Sequence, residues 1–102
     1  MILHQKQRSL SAAVKDAYWD AVHDCLVDLF HVPSAKARSL CRDRRYLVDL
    51  APERLRSDIY YHREPFDVAR DLTDPLVSRQ PDLGDSQTNR DYEQILKANK
   101  LI

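Results

Sequence analysis

Four aspartates, Asp16, Asp20, Asp24 and Asp28, stand four residues apart. On a helix each step of four turns the position by roughly 40°, so these carboxylates form one slowly winding acidic row. Like charges at that spacing cost about 0.2–0.5 kcal/mol per pair in an isolated helix, and a neighbouring group or the packed face has to offset that cost. The complement lies downstream. Residues 36–56 carry a net +4 through Lys36, Arg38, Arg42, Arg44, Arg45, Arg54 and Arg56, whereas residues 1–35 carry −1 and residues 57–102 carry −3. Two arrangements follow. Either Arg38, Arg42 and Arg45 face the aspartates across a helical hairpin, or the rows stay in water. In water the acidic row would receive a basic partner, and the arginines would receive phosphate, whose geometry the guanidinium fork matches bidentately.

Residue types suited to catalysis and metal binding are present but scattered. His4, His23, His31 and His62 have no partner among themselves or with Cys25 and Cys41 at the short spacing of a structural zinc site. A di-metal helical bundle would take Glu from several helices with Glu-x-x-His on two of them, and the Asp row does not provide that. No Ser or Cys has a base at a motif spacing. With one glycine, Gly84, the chain also lacks the phosphate-cradling loops, the dinucleotide fingerprint and the nucleophile elbow, each of which needs two or more. No catalytic residue, metal or cofactor is therefore assigned, and a non-enzymatic role is expected. The remaining chemistry is aromatic. Tyr60 and Tyr61 are adjacent and cannot both point inward on a helix, and Trp19 sits on a broad apolar face. Tyrosine and tryptophan are favoured at interfaces, so Trp19, Tyr60 and Tyr61 are the expected docking anchors. The Asp row, or Arg38, Arg42 and Arg45, would then set partner and register.

The elements that must carry these groups are helical. Leu10, Val14, Tyr18, Val22, Cys25 and Leu29 recur at intervals of three and four, with Trp19, Leu26 and Phe30 widening the stripe. This predicts a long first helix from a cap at Ser9 or Ser11 to about His31, stopped by Pro33. Ser34 is the expected cap of a second helix ending near Asp49 or Leu50, with Ala37, Leu40, Cys41, Arg44, Leu47 and Val48 inward. Pro52 suits the first turn of a third helix with Leu55 and Ile59 inside. Pro65 opens a short segment, Phe66 to Leu72. The stretch 73–87, with Pro75, Pro81 and Gly84, reads as a loop. Thr88-Asn89-Arg90-Asp91 resembles a capping box ahead of Tyr92, Ile95 and Leu96, and the last four residues are expected to fray or dock. No segment shows sustained strand alternation. The expected fold is one all-α domain over 1–102, a bundle of four to five helices with a flexible arm over 1–8, the first helix longest and an irregular segment before the last.

Residues 26–40 resemble a helix-turn-helix in outline. An apolar pair ends one helix, a short turn holds Val32, and a capped basic helix follows. That resemblance implies that helix 34–48 lies in the major groove, with Lys36, Arg38, Arg42 and Arg45 meeting phosphates or guanine edges. His31 stands where such turns favour Gly, and Pro33 where Ser or Thr is usual. The chain as a whole has 16 basic and 16 acidic residues, net zero, which removes the global electrostatic argument for nucleic acid or membranes. Its composition, 43% apolar and 31% charged, is that of a soluble globular protein. No apolar run approaches the roughly 20 residues of a membrane span, and no secretory leader is visible. Cys25 and Cys41 are expected as buried, reduced thiols of a cytoplasmic protein. The expected function is protein interaction without catalysis, with another protein or a second copy of the chain as partner. Nucleic acid is the alternative.

Overall fold

The computed structural model describes residues 11–50, 60–73 and 80–102. These are all-helical, with no strand among them: α1 (Ala12–Asp28), α2 (Ser34–Leu50), α3 (Pro65–Leu72) and α4 (Ser86–Ala98). The expected arm 1–8, the helix opened by Pro52 with Leu55 and Ile59, and residues 74–79 of the expected loop lie outside the described residues. The expectation that the first helix is longest does not hold among them, since α1 and α2 each have 17 residues.

Helix α1 is the central element and packs against each of the other three. Ser11 caps it, its hydroxyl accepting the Val14 N–H at 3.2 Å, which satisfies one of the orphan donors of the first turn. The expected stripe is buried from Tyr18 onward, through Val22, Cys25, Leu26 and Leu29. Val14 precedes the packed region and stays exposed. The helix closes earlier than His31. The N–H groups of Leu29 and Phe30 both turn back to Cys25 O, and that of Val32 reaches Leu26 O at 2.8 Å. His31 provides the reversal at φ 57°. This left-handed conformation is the reason glycine is favoured at such a position.

Ser34 is the first helical residue of α2 rather than its cap, and the Pro33 carbonyl accepts the first helical bond, from Ala37 N–H at 2.9 Å. The Ser34 hydroxyl instead meets His23 Nε2 at 3.2 Å. Ala37, Cys41 and Val48 are buried, with Leu40 and Arg44 half-buried. Leu47, expected inside, is exposed. It stands roughly 100° round the helix from Val48, past the edge of a narrow inner face.

Pro65 occupies the first turn of α3, where its missing N–H leaves no bond unmade. Phe66, Val68 and Ala69 are buried beneath α1. Phe66 joins Phe30 (centroids 5.4 Å apart) to Tyr92 of α4 (5.6 Å) in one aromatic column. The Tyr92 hydroxyl donates to Glu64 Oε1 at 2.6 Å and accepts from Phe66 N–H at 3.3 Å, so α4 ties down the start of α3.

Helix α4 starts before the expected box at Thr88. Asp85 is the cap, its carboxylate accepting the Thr88 N–H (3.0 Å) and hydroxyl (3.1 Å). Those bonds, the backbone one foremost, hold the Asp85 carboxyl below its usual range. Thr88 is thus the donor of the cap, and the expected loop ends at residue 85. At the other end Lys100 takes φ 60°, and the N–H of Leu101 returns to Leu96 O at 2.8 Å. This αL closure turns Leu101 back to pack on the core, while Ile102 stays exposed.

Candidate docking surface

Two of the three expected aromatic anchors are core residues. Trp19 is 4% exposed and Tyr61 8%. The indole Nε1–H donates to the Tyr61 hydroxyl at 2.9 Å, and that hydroxyl donates to Asp49 Oδ1 at 3.1 Å. Burial pushes the Tyr61 hydroxyl up to about 12; the Trp19 N–H works against this and Asp49 adds to it. Tyr18 closes the cluster edge-on to Tyr61, 5.0 Å between centroids, and donates to Arg63 O at 2.9 Å. Tyr60 is half-buried, stacked on Trp19 at 6.0 Å with the Arg63 guanidinium 5.5 Å from its ring centre. These rings therefore join α1 to the chain before α3 and to the end of α2. Trp19 and Tyr61 have little surface left to offer a partner.

The charged rows meet, but only in part. Arg45 reaches Asp16 at 2.9 Å and Asp49 at 3.5 Å, and Lys15 adds a contact to Asp49 at 3.9 Å. Asp20 shares a groove of about 310 Å³ between α1 and α2 with His23, Arg38 and Arg42, floored by Trp19 and Cys41. Asp24 accepts the Asn99 amide at 3.0 Å and lies 3.5 Å from His23. Asp28 and Asp24 line a second groove, about 370 Å³, with Leu29 and with Asp91, Gln94 and Ile95 of α4. The winding of the row explains this division. Successive 40° steps carry the carboxylates from the α2 side of α1 to the α4 side. Lys36 and Arg38 are exposed, and Arg42 lies 3.5 Å from its neighbour Asp43, both side chains mostly in water.

Among the described residues no group of three His, Cys, Asp or Glu could hold a metal ion. Cys25 and Cys41 are free and buried. Burial pushes both thiols up, Cys41 to about 12, with nearby aspartates adding to the effect. Neither is a thiolate near neutral pH, the form a nucleophile or ligand needs. No helix among the described residues is long and apolar enough to cross a membrane.

The open apolar surface lies elsewhere, on α2. Tyr46 is 66% exposed, Leu47 63% and Leu50 52%. Tyr46 and Leu47 line, with Arg42 and Asp43, a shallow and almost wholly apolar groove of about 430 Å³. The stripe continues toward the start of the helix. Ala35, Ser39, Arg42, Tyr46 and Leu50 follow at steps of four, three, four and four, opposite the inner row of buried Ala37, Cys41 and Val48 and half-buried Arg44. Sequence reasoning missed this face because it assigned Leu47 to the core and Tyr46 to no role. A usable signal was present: Tyr46, Leu47, Val48 and Leu50 put four apolar side chains within five residues, more than one narrow face can bury. Comparison with protein-family models, curated proteins and solved structures found no match.

Proposed function

We propose that this chain is a small helical protein-interaction module without catalytic activity, which self-associates through the outer face of α2. The observation that carries the reading is the exposure of Tyr46, Leu47 and Leu50 together on one face. Large apolar side chains scattered singly over a surface need no explanation, but a contiguous set does. The face opposite the core also favours a polypeptide over a polyanion. Its central residues are Ala35, Ser39, Tyr46 and Leu50, with Arg42 beside Asp43, while the exposed Lys36 and Arg38 stand at its edges. Arg45, one of the expected phosphate contacts, is engaged by Asp16 and Asp49. The Asp row contributes to fold and surface charge rather than to the docking contact.

Full burial of one such side chain contributes about 1.5–3 kcal/mol. Six of them, three from each copy, offset an association cost of about 4–15 kcal/mol with little to spare. Because each of these side chains is already partly covered in the single chain, the expected complex is a weak dimer that forms at high protein concentration. Sedimentation velocity of the purified chain over a wide concentration range tests this. The wild-type chain should shift from one copy to two, and Leu47→Asp should remain a folded monomer throughout. A wild-type chain monomeric at every concentration, or a dimer indifferent to Leu47→Asp, overturns the reading.

A further inference from the structure

Resting on that reading, we infer that the partner on α2 is a second, antiparallel copy, related by a two-fold axis through the middle of the helix, with Arg42 of each copy paired to Asp43 of the other. The outer stripe of α2 is graded in size. Along its centre line the first half presents Ala35 and the half-buried Ser39, the second half Tyr46 and Leu50, and the Arg42–Asp43 pair stands between them; exposed Lys36 and Arg38 flank the first half and Leu47 the second. In an antiparallel pair the position numbers of facing residues have a constant sum. When Arg42 faces the partner's Asp43, Tyr46 faces the partner's Ser39 and Leu50 faces the partner's Ala35. Both charged pairs are made, the centre-line side chains Tyr46 and Leu50 lie on small ones, and Leu47 lies against the partner's Arg38, whose aliphatic stem can cover it. Because α2 runs from Ser34 to Leu50, its midpoint falls at residue 42. This register therefore covers the whole helix, about 25 Å of it.

The other pairings of the same face are poorer. A parallel pair in register sets Tyr46 against Tyr46, Ala35 against Ala35 and Arg42 against Arg42. It combines bulk with bulk and like charge with like charge. Sliding the antiparallel pair by one turn either way leaves part of the stripe uncovered and separates Arg42 from Asp43. A two-fold contact also closes at two copies, whereas a head-to-tail contact would propagate. Arg42 and Asp43 are both mostly exposed and lie 3.5 Å apart within one chain, so they are free to exchange partners. Their role is to select the register more than to supply affinity.

The register makes a reciprocal prediction that sedimentation equilibrium can read. Arg42→Asp alone places two like-charged pairs across the axis, and so does Asp43→Arg alone. Each variant should bind itself about tenfold or more weakly than wild type, from two exposed pairs turned from attraction to repulsion. An equimolar mixture of the two should recover association to within about threefold of wild type. In the mixed dimer, the carboxylate introduced at position 42 of one chain meets the guanidinium introduced at position 43 of the other. The second pair across the axis joins the retained Asp43 of the first chain to the retained Arg42 of the second, so both pairs are again of opposite charge. Circular dichroism confirms that both variants keep their helical content, as expected for exposed positions. Variants that self-associate like wild type, or that weaken without recovering in the mixture, overturn the inference. If Leu47→Asp abolishes association while the charge variants behave in either of those ways, α2 remains the docking face and the two-fold register is discarded. If Leu47→Asp also leaves association unchanged, both are discarded.

Discussion

Replacing Tyr61 with Phe removes one oxygen from the middle of the network that joins α1 to the end of α2. The ring and its edge-on contacts with Tyr18 and Trp19 are retained, so the change isolates the hydroxyl. Two bonds are lost. Trp19 Nε1–H, 2.9 Å from that hydroxyl, sits on a residue only 4% exposed, and water cannot replace the acceptor. A buried donor left unsatisfied costs about 1–3 kcal/mol. The bond to Asp49 is cheaper, because Asp49 is partly exposed and is also approached by Arg45 and Lys15. Its loss adds about 0.5 kcal/mol. The expected total is about 2 kcal/mol, or a fall in Tm of about 8–16 °C for a chain of this size.

The assay is urea unfolding followed by far-ultraviolet circular dichroism, at one fixed protein concentration because association adds to apparent stability. Trp19 is the sole tryptophan, so its fluorescence serves as a second probe wherever it is retained. The decisive comparison is a double-mutant cycle. In a Trp19→Phe background no indole N–H remains to be orphaned, and Tyr61→Phe should then cost well under about 1 kcal/mol. A coupling of about 1–2 kcal/mol between the two positions is expected. If Tyr61→Phe costs the same in both backgrounds, or leaves wild-type stability within about 0.5 kcal/mol, the hydroxyl does not hold the cluster together.

Stability should fall at alkaline pH. Cys41 and Tyr61 are pushed up to about 12 by burial, and Tyr18, Tyr92 and Cys25 move in the same direction. The unfolded chain therefore loses these protons first, and stability present below about pH 9 is lost as the pH rises toward 12. Tm should decline from about pH 9 to 11, with Cys41→Ala making the fall between about pH 9 and 10 shallower while Cys25 and the tyrosines sustain the rest, and a flat profile would refute the assignment. His31→Gly should raise stability by about 0.5–1 kcal/mol, since His31 holds φ 57° at a left-handed cost that glycine does not bear. His31→Val should lower it, and thermal melts of the two variants separate backbone strain from any side-chain role.

How much of this was legible in the sequence depends on whether a local rule decided the outcome. Ser11 as a cap, Pro65 at the head of α3 and the Tyr18–Val22–Cys25–Leu26 stripe follow from capping, proline and periodicity, and all are found in the structure. The start of α4 was placed too late. Thr88 and Asp91 match a capping pattern, but Asp85 bonds Thr88 first and extends the helix by a turn. Two of the aromatic anchors, Trp19 and Tyr61, are buried for a tertiary reason. Whether Trp19 and Tyr61 face water depends on a hydrogen bond spanning 42 residues, and no spacing rule registers that.

The α2 face fell between these cases, and it shows what the failure costs in functional terms. Periodicity identifies an apolar stripe, yet it cannot say whether one helix bears two of them. Ala37, Cys41, Arg44 and Val48 already fill the inner face. Tyr46, Leu47 and Leu50 are therefore surplus to the monomer, and surplus apolar surface of this extent must be covered or tolerated. The charged rows, more conspicuous in sequence, turned out to be divided between the α2 and α4 sides of α1, with Asp16 paired to Arg45 and Asp24 hydrogen-bonded to Asn99 and close to His23. Charge divided in this way among several surfaces carries little information about a partner. Unmatched apolar bulk set beside a single Arg–Asp pair, graded from small to large along one helix, carries more. It is there that an association between copies can be specific and still weak enough to reverse.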